Sequence, residues 1–471
     1  MVKIKFVGAS GGEVTGSKHL IEFNDQKILL DCGMFQGRRS EAKAKNEDLG
    51  FDPAELDAVI LSHAHIDHSG LLPLLAKRGF RGPIFCTFAT RDLCNYMLYD
   101  SAYIQEREIK YLKKRKKYKS GKEKLPELLY SVDDAAESLK LLHSVSYEQS
   151  FVVCDGVVAS FYDAGHILGS ALIHLIFFDK KKKKYFKLCF TGDLGRRGLA
   201  ILRDPQPIPE TDALISECTY GNRLHSAIQT VEQDLATIVN DVCKNGGKLI
   251  IPSFALERAQ EVIYFLGVLR QKEMIPDIPI YLDSPLAVNV SDVFRSHPEC
   301  FDKDVYKYFL SEGKNPFDIP NLVYTRSVDE SKEINQKPGP MVIISASGMC
   351  EHGRILHHLK NNIEDPNSIV LIVGYQASHT LGRKLVEGEP VVNIFGEPYN
   401  VKSSVYVMDA FSAHADRSDL LEYIGRINGL QKVFLVHGEQ KQRLAFKEAL
   451  KQNNFKDVTL PEYKEEITLD F

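Results

Sequence analysis

The sequence predicts an α/β protein built as one domain inserted into another, and three observations carry that prediction. The first 200 residues are short apolar runs broken by Gly, Asn or Asp, the mark of strands and turns. From residue 221 the texture changes to alternating helix and strand patterns, as in a parallel α/β sheet. The last stretch returns to the strand-rich texture of the first.

Taken in order, KIKFVGA, HLIEFN, KILLDCG, AVILSH and PIFCT predict strands, and 69–79, 90–118 and 133–143 predict helices. ALIHLIFF and KYFKLCFTGD flank the run Lys180 to Lys184 and predict an antiparallel hairpin with the lysines at its tip. LRDPQPIPETD, at 202–212, holds three prolines and predicts a linker. Helices are expected at 229–244 and 256–272 around the strand KLIIPS, followed by the strands PIYLDS, PMVIISAS and SIVLIVGY. SVYVMDAFSAH and KVFLVHG are expected to resume the strand-rich layer, before a helix at 440–451 and a last strand, EEITLD.

With 471 residues the chain is too long for one compact core, so two or three domains are expected. Hydrophobic content of 44% and charged content of 26% place it among soluble globular proteins. No run of 18 apolar residues predicts a membrane span, and the N-terminus has no signal-peptide pattern, so a cytoplasmic protein without membrane contact is expected. The nine cysteines are scattered, odd in number and without CxxC, which predicts reduced thiols. Any metal must then be held by histidine and carboxylate. The net charge of −4 argues against a nucleic-acid partner, but REIKYLKKRKKYKSGKEK (107–124) is strongly basic. That segment is either a solvated helix end or an electrostatic funnel for a polyanion.

The chemistry gathers at AVILSHAHIDHSG (58–70), which takes three of the 15 histidines within six residues. Buried imidazoles need partners for their nitrogens. Other strands also finish in a metal-capable residue. KILLD ends at Asp31, SFYDAGH at His166, LCFTGD at Asp193, ALISE at Glu217, VYVMDAFSAH at His414 and KVFLVH at His437. One such ending is uninformative, but seven form a pattern in which rigid strands hold ligands along one edge of a sandwich. These donors suit Zn²⁺, with Mn²⁺ or Fe²⁺ as alternatives. His63, His65, Asp67, His68, His166 and Asp193 are too many donors for one tetrahedral ion, so two ions are expected, with Asp193 bridging. Two such ions hold a hydroxide and clamp the oxygens of a displacement at phosphorus.

HAHIDH with Asp31, His166 and Asp193 resembles the metallo-β-lactamase fold. The α/β block, with SECTYG, FSAHAD and VHGE around it, resembles the β-CASP nucleases. More narrowly, it is similar to the bacterial and archaeal relatives of the endonuclease subunit of the cleavage and polyadenylation factor, over nearly the whole chain. The resemblance implies a metallo-β-lactamase αβ/βα sandwich (1–220 and 403–471) with an inserted β-CASP α/β domain (221–402). It implies one zinc on His63, His65, His166 and Asp193, and a second on Asp67, His68, Asp193 and His437. By the same resemblance Asp31 orients a ligand imidazole, and Glu217 positions His414, which protonates the leaving oxygen. A histidine at position 437 goes with the RNA enzymes of the family. Neither a KH-like N-terminal segment nor a long C-terminal extension is seen, so a homodimer is allowed but its mode is not implied.

Three turns of the α/β block suit phosphate: Ser253 and Arg258 after KLIIPS, Ser347, Gly348 and Arg354 after VIISAS, and Ser378, His379 and Arg383 after IVLIVGYQ. Such turns expose backbone N–H groups at helix N-termini, and arginine adds bidentate contact. Any one of them could be ordinary capping, but as a set they predict contact with an RNA backbone. No GxxxxGK[ST] occurs, and GASGGEVTG (8–16) does not fit GxGxxG.

The expected protein is a zinc-dependent ribonuclease of RNA processing or decay, cutting single-stranded RNA to leave a 5′-phosphate and a 3′-hydroxyl. Endonucleolytic cleavage is expected first, with 5′-to-3′ exonuclease trimming as the alternative. A DNA nuclease, a thioester or lactam hydrolase, and a non-catalytic RNA-processing scaffold are the competing readings. The inserted domain and His414 argue against small substrates, and the full ligand set argues against a scaffold.

Overall fold

The computed structural model describes residues 1–37, 39–114, 127–225, 230–312, 316–377, 379–408 and 411–471. The basic segment is therefore described only as far as Lys114, and Ser378 lies outside the described residues. Two compact units emerge. One comprises Met1–Arg197, Asp204–Leu224 and His414–Phe471, and the other Gly198–Arg203 and His225–Ala413.

The first unit is built on two seven-stranded sheets. One runs in the order Glu466–Leu469, Val2–Phe6, His19–Phe23, Gln26–Leu30, Ala58–Ile60, Ile84–Cys86, Leu142–Ser144. The other runs Asp457–Thr459, Lys432–Val436, Ala213–Glu217, Lys184–Phe190, Ala171–Asp179, Val157–Asp163, Ser150–Cys154. Val2, Ile4 and Phe6 alternate with half-buried lysines, so one face of their strand turns inward. They meet Phe177, Phe190, Ile215 and Phe434 of the second sheet in a shared apolar core. Behind the second sheet, Leu420 and Ile424 of helix Arg417–Gly425 and Phe446 and Leu450 of helix Gln440–Gln452 close a second core. The αβ/βα sandwich follows from two half-apolar sheets that each need cover on both sides.

Strand direction brings the chemistry to one edge. Gln26–Leu30 runs parallel to Ala58–Ile60, so Asp31 and the HAHIDH loop leave at the same end. In the second sheet Lys184–Phe190, Ala213–Glu217 and Lys432–Val436 are mutually parallel, and each is followed by a site residue or ends in one. Val157–Asp163 is antiparallel to Ala171–Asp179, itself antiparallel to Lys184–Phe190. It therefore points the same way, towards His166.

The second unit holds a six-stranded sheet, Leu322–Tyr324, Ile280–Leu282, Met341–Ser345, Lys248–Pro252, Ile369–Ile372, Ser404–Val407, with every pairing parallel. Lys248–Pro252 and Met341–Ser345 are buried along their whole length, as expected of strands covered on both faces.

Two expectations are corrected. Ser404–Val407 does not resume the first layer; it pairs with Ile369–Ile372 at the edge of the second unit's sheet. Short β-branched runs look alike in either sheet, and periodicity carries no partner information. Secondly, the proline-rich stretch is tied down. The Gln206 backbone N–H donates to the Asp163 carbonyl at 2.8 Å, its side chain accepts from Asp163 N–H at 2.7 Å, and the Tyr423 hydroxyl donates to its carbonyl at 2.7 Å.

Candidate metal centre

Asp31 stands one residue past its strand with φ +58°, in the left-handed region that costs a side-chain-bearing residue. The turn aims its carboxylate into the protein, where it is fully buried and saturated. It accepts from Ser62 N–H at 2.8 Å, Ser62 Oγ at 2.9 Å and Ser17 Oγ at 3.3 Å, and meets His68 Nδ1 at 2.7 Å. A carboxylate beside Nδ1 fixes the proton there and leaves His68 Nε2 facing the centre. Gly33 lets this loop lie against the histidine loop, since a Cβ there would come within 1.6 Å of the Asp67 carbonyl.

The same proton logic orders two more imidazoles. Because the Ser62 hydroxyl donates to Asp31, it can only accept from His63 Nδ1, 3.0 Å away, which leaves His63 Nε2 with a lone pair. The Thr219 hydroxyl donates to the His437 carbonyl at 3.1 Å and so accepts from His437 Nδ1 at 3.0 Å. His437 Nε2 is then turned to His68 Nε2 at 3.3 Å and to Asp67 at 3.5 Å. His437, like Asp31, sits just past a strand with positive φ, +49°. Neither Ser62 nor Thr219 was singled out from the sequence. The only signal was a hydroxyl one or two residues from a candidate site residue, His63 or Glu217.

Asp193 lies between two groups. Its Oδ2 is 3.6 Å from His63 Nε2 and 3.5 Å from His166 Nε2, while Oδ1 is 3.3 Å from His68 Nε2. His65 Nδ1 completes the first group, 3.1 Å from His63 Nε2 and 3.3 Å from His166 Nε2. Donors at about 2.0–2.1 Å from a tetrahedral ion stand about 3.3–3.4 Å apart. The spacings within each group match that edge, and the buried Asp193 Oδ1 makes no hydrogen bond. His63, His65, His166 and Asp193 form one candidate metal group, and Asp67, His68 and His437 another.

Burial pushes His63 and His166 well below the ordinary imidazole range and His65 down to about 4, so all three are neutral, as ligands must be. Burial opposes a charge on His68, but Asp193 and Asp31 outweigh it and raise the imidazole well above its ordinary range, so a metal ion at Nε2 would displace a proton. His437, His68 and His414 in turn outweigh burial and hold the Asp193 carboxyl well below its ordinary value.

The bridge between His414 and Gly195 and the bond from Ala415 N–H to the Leu194 carbonyl seat His414 beside Asp193. Its Nδ1 is 3.1 Å from Glu217 Oε1. Glu217 is fully buried and also accepts from Leu194 N–H at 2.6 Å. Burial works against a charge on His414, but Glu217, Asp193 and Asp67 raise its pKa to about 9.

In the second unit the expected phosphate turns follow three neighbouring parallel strands, so they share one sheet edge. Ser253 is buried there, and the Ser347 hydroxyl accepts from Glu351 and His352 N–H at 3.1 and 3.3 Å. Gly348 presses on Phe254, His379 is exposed, and Arg383 pairs with Glu387 at 2.7 Å. Arg258 and Arg354 already hold carboxylates. Arg258 is paired with Glu261, and Arg354 donates to Asp283 at 2.7 Å and to the Arg326 carbonyl at 2.8 Å.

A histidine and carboxylate centre at the edge of this sandwich defines a metal-dependent hydrolase. Comparison with known proteins agrees. Residues 11–84 match the metallo-β-lactamase superfamily, 259–385 the Beta-Casp domain, and 398–461 the Zn-dependent metallo-hydrolase RNA specificity domain. The chain is 37% identical to Ribonuclease TTHA0252 of Thermus thermophilus, over 92% of each chain. It is 33% identical to the transcription termination factor FttA of Methanosarcina mazei, over 92% of this chain and 67% of that one. It is 32% identical to an RNase J-like protein of Methanocaldococcus jannaschii, over 95% of this chain and 94% of that one. The chain belongs to the β-CASP family of metallo-hydrolases.

Proposed function

We propose that the protein is a zinc-dependent ribonuclease that hydrolyses phosphodiester bonds of single-stranded RNA in RNA processing or decay. The observation that carries this reading is Asp193, whose two oxygens each face a different histidine group. His63, His65, His166 and Asp193 would hold one zinc, and Asp67, His68, Asp193 and His437 the other. Bound there, the ions would supply an activated water and polarise the phosphate oxygens. Likeness to a relative named as a ribonuclease supports RNA as the substrate.

The chain's own residues do the rest. Asp31, Ser62 and Thr219 fix the proton on the outer nitrogen of His68, His63 and His437, so that each presents a lone pair inward. Glu217 holds His414 Nδ1 and favours its charged form, leaving Nε2 as the atom that gives a proton to the departing oxygen. Ser253, Ser347, Gly348, His379 and Arg383 are the proposed contacts to the RNA backbone, while Arg258 and Arg354 are engaged by Glu261 and Asp283.

The test is a denaturing gel of one single-stranded RNA labelled separately at each end, with wild-type protein and with Asp67→Ala/His68→Ala. Internal fragments from both labels, absent with the variant, are expected for an endonuclease. Mononucleotide released only from the 5′ end would make the enzyme an exonuclease. An intact RNA beside zinc-loaded protein would overturn the reading.

A further inference from the structure

The helix Phe88–Lys114 has two apolar faces, and only one of them is buried. Cys94, Leu98, Ala102 and Leu112 point into the protein. On the opposite side Tyr96, Tyr99, Tyr103, Arg107, Lys110 and Lys114 recur at spacings of three and four residues, which makes one continuous stripe. All six are exposed, Tyr103 by 51%. A helix that turns three tyrosines to water at heptad-like spacing exposes an ordered apolar patch, and such patches mark binding surfaces. The stripe is aromatic in its first half and cationic in its second. The Arg107 guanidinium lies 5.6 Å from the Tyr103 ring centroid, and Lys110 pairs with Glu106 at 3.7 Å.

The start of this helix is fastened to the metal centre. Thr87 Oγ1 and Thr90 Oγ1 donate to the Gly169 carbonyl at 2.7 and 2.8 Å, in the loop that follows His166. The helix also packs on Ile66–Ser69, which carries Asp67 and His68. Phe88, exposed at that end, lies under the Arg91 guanidinium at 5.6 Å. From Phe88 to Lys114 the helix runs about 39 Å away from the centre.

We propose that this face is a guide track for single-stranded RNA, with bases stacked on Tyr96, Tyr99 and Tyr103 and phosphates held by Arg107, Lys110 and Lys114. Aromatic rings joined to a row of cations match a chain of flat bases on a polyanionic backbone. A second copy of this chain, at net charge −4, offers the cations no comparable attraction. The track rests on RNA being the substrate.

The test measures RNA binding by fluorescence anisotropy in full-length protein carrying Asp67→Ala, so that binding reads apart from cleavage. Two RNAs are compared, of about 6 and about 30 nucleotides, the shorter too short to occupy both centre and track. Tyr96→Ala/Tyr99→Ala/Tyr103→Ala is expected to weaken the long RNA at least about tenfold, leave the short one unchanged, and be rescued by phenylalanine at the same positions. Lys110→Glu/Lys114→Glu is expected to flatten the salt dependence by about 1.4 in log–log slope. Equal weakening of both lengths, no weakening, or no binding of either RNA overturns the track. Unchanged RNA affinity with lost self-association on sedimentation assigns the face to a second copy and also overturns it. Length-dependent binding without cleavage by the wild type would uphold the track and count against the nuclease reading.

Discussion

At the scale of single residues, the centre is set by where protons sit. His63, His68 and His437 each give the outer nitrogen's proton to a partner, and those partners are Ser62, Asp31 and Thr219. Thr219→Val keeps the shape and removes the acceptor. It is expected to weaken zinc at the group holding His437 by about tenfold, read by competition with a chromophoric chelator. Unchanged affinity would show that Thr219 plays no part in ligand orientation. His414 has a raised pKa, so its charged form, the one the proposed proton transfer needs, prevails below about 9 and is lost as pH rises through that value. Zinc on Asp193 and Asp67 would neutralise two of the charges that raise it, moving the loss to lower pH. The alkaline limb of the rate profile is expected to move down further in Glu217→Gln, and a limb that stays put would contradict the pairing. The proposed ligands were legible because they crowd into HAHIDH or end strands. Ser62 and Thr219 were not, because a hydroxyl becomes informative only when its donors and acceptors are known.

At the scale of elements, parallel strands place the proposed ligands and close loops hold them. Gly33 is the tightest point, and Gly33→Ala would drive a Cβ into the Asp67 carbonyl. The variant is expected to lose about 3 kcal/mol or more in urea unfolding and to lose bound zinc with it. Wild-type stability would mean that the two loops can part without cost. The strand ends at Asp31, Glu217 and His437 could be read from apolar runs that stop at a polar residue. His414 was reached by the same reading, but its placement was not, because Ser404–Val407 belongs to another sheet and the residue is placed instead by its bridge to Gly195. Local periodicity reports that a strand exists, and its partner depends on contacts far away in sequence.

At the scale of the whole molecule, the inserted texture between strand-rich ends was enough to reveal a sandwich carrying a second α/β unit, since each pattern implies its own layers. What the pattern could not show is how the second unit is braced. Asp283 is fully buried and takes Arg354 at 2.7 Å, His358 at 2.7 Å and the Ser331 hydroxyl. Burial opposes its charge, but His358, Ser331 and Arg354 outweigh burial and lower its pKa. A carboxyl lowered by folding stabilises fully above its unfolded value of about 3.9, and that contribution is lost as pH falls through the folded value. Asp283→Ala is expected to cost about 3–5 kcal/mol near neutral pH, because the Arg354 guanidinium is left without its carboxylate and His358 Nε2 without its hydrogen-bond partner. It is also expected to flatten the acid side of the stability profile, and an unchanged acid slope would contradict the role given to Asp283.

If Asp193 joins two metal groups, the zinc content of purified protein, read by elemental analysis, depends on it. The wild type is expected to carry about two zinc ions per chain, Asp67→Ala/His68→Ala about one, and Asp193→Ala less than about one. A single zinc in the wild type, or a full complement in Asp193→Ala, would contradict it.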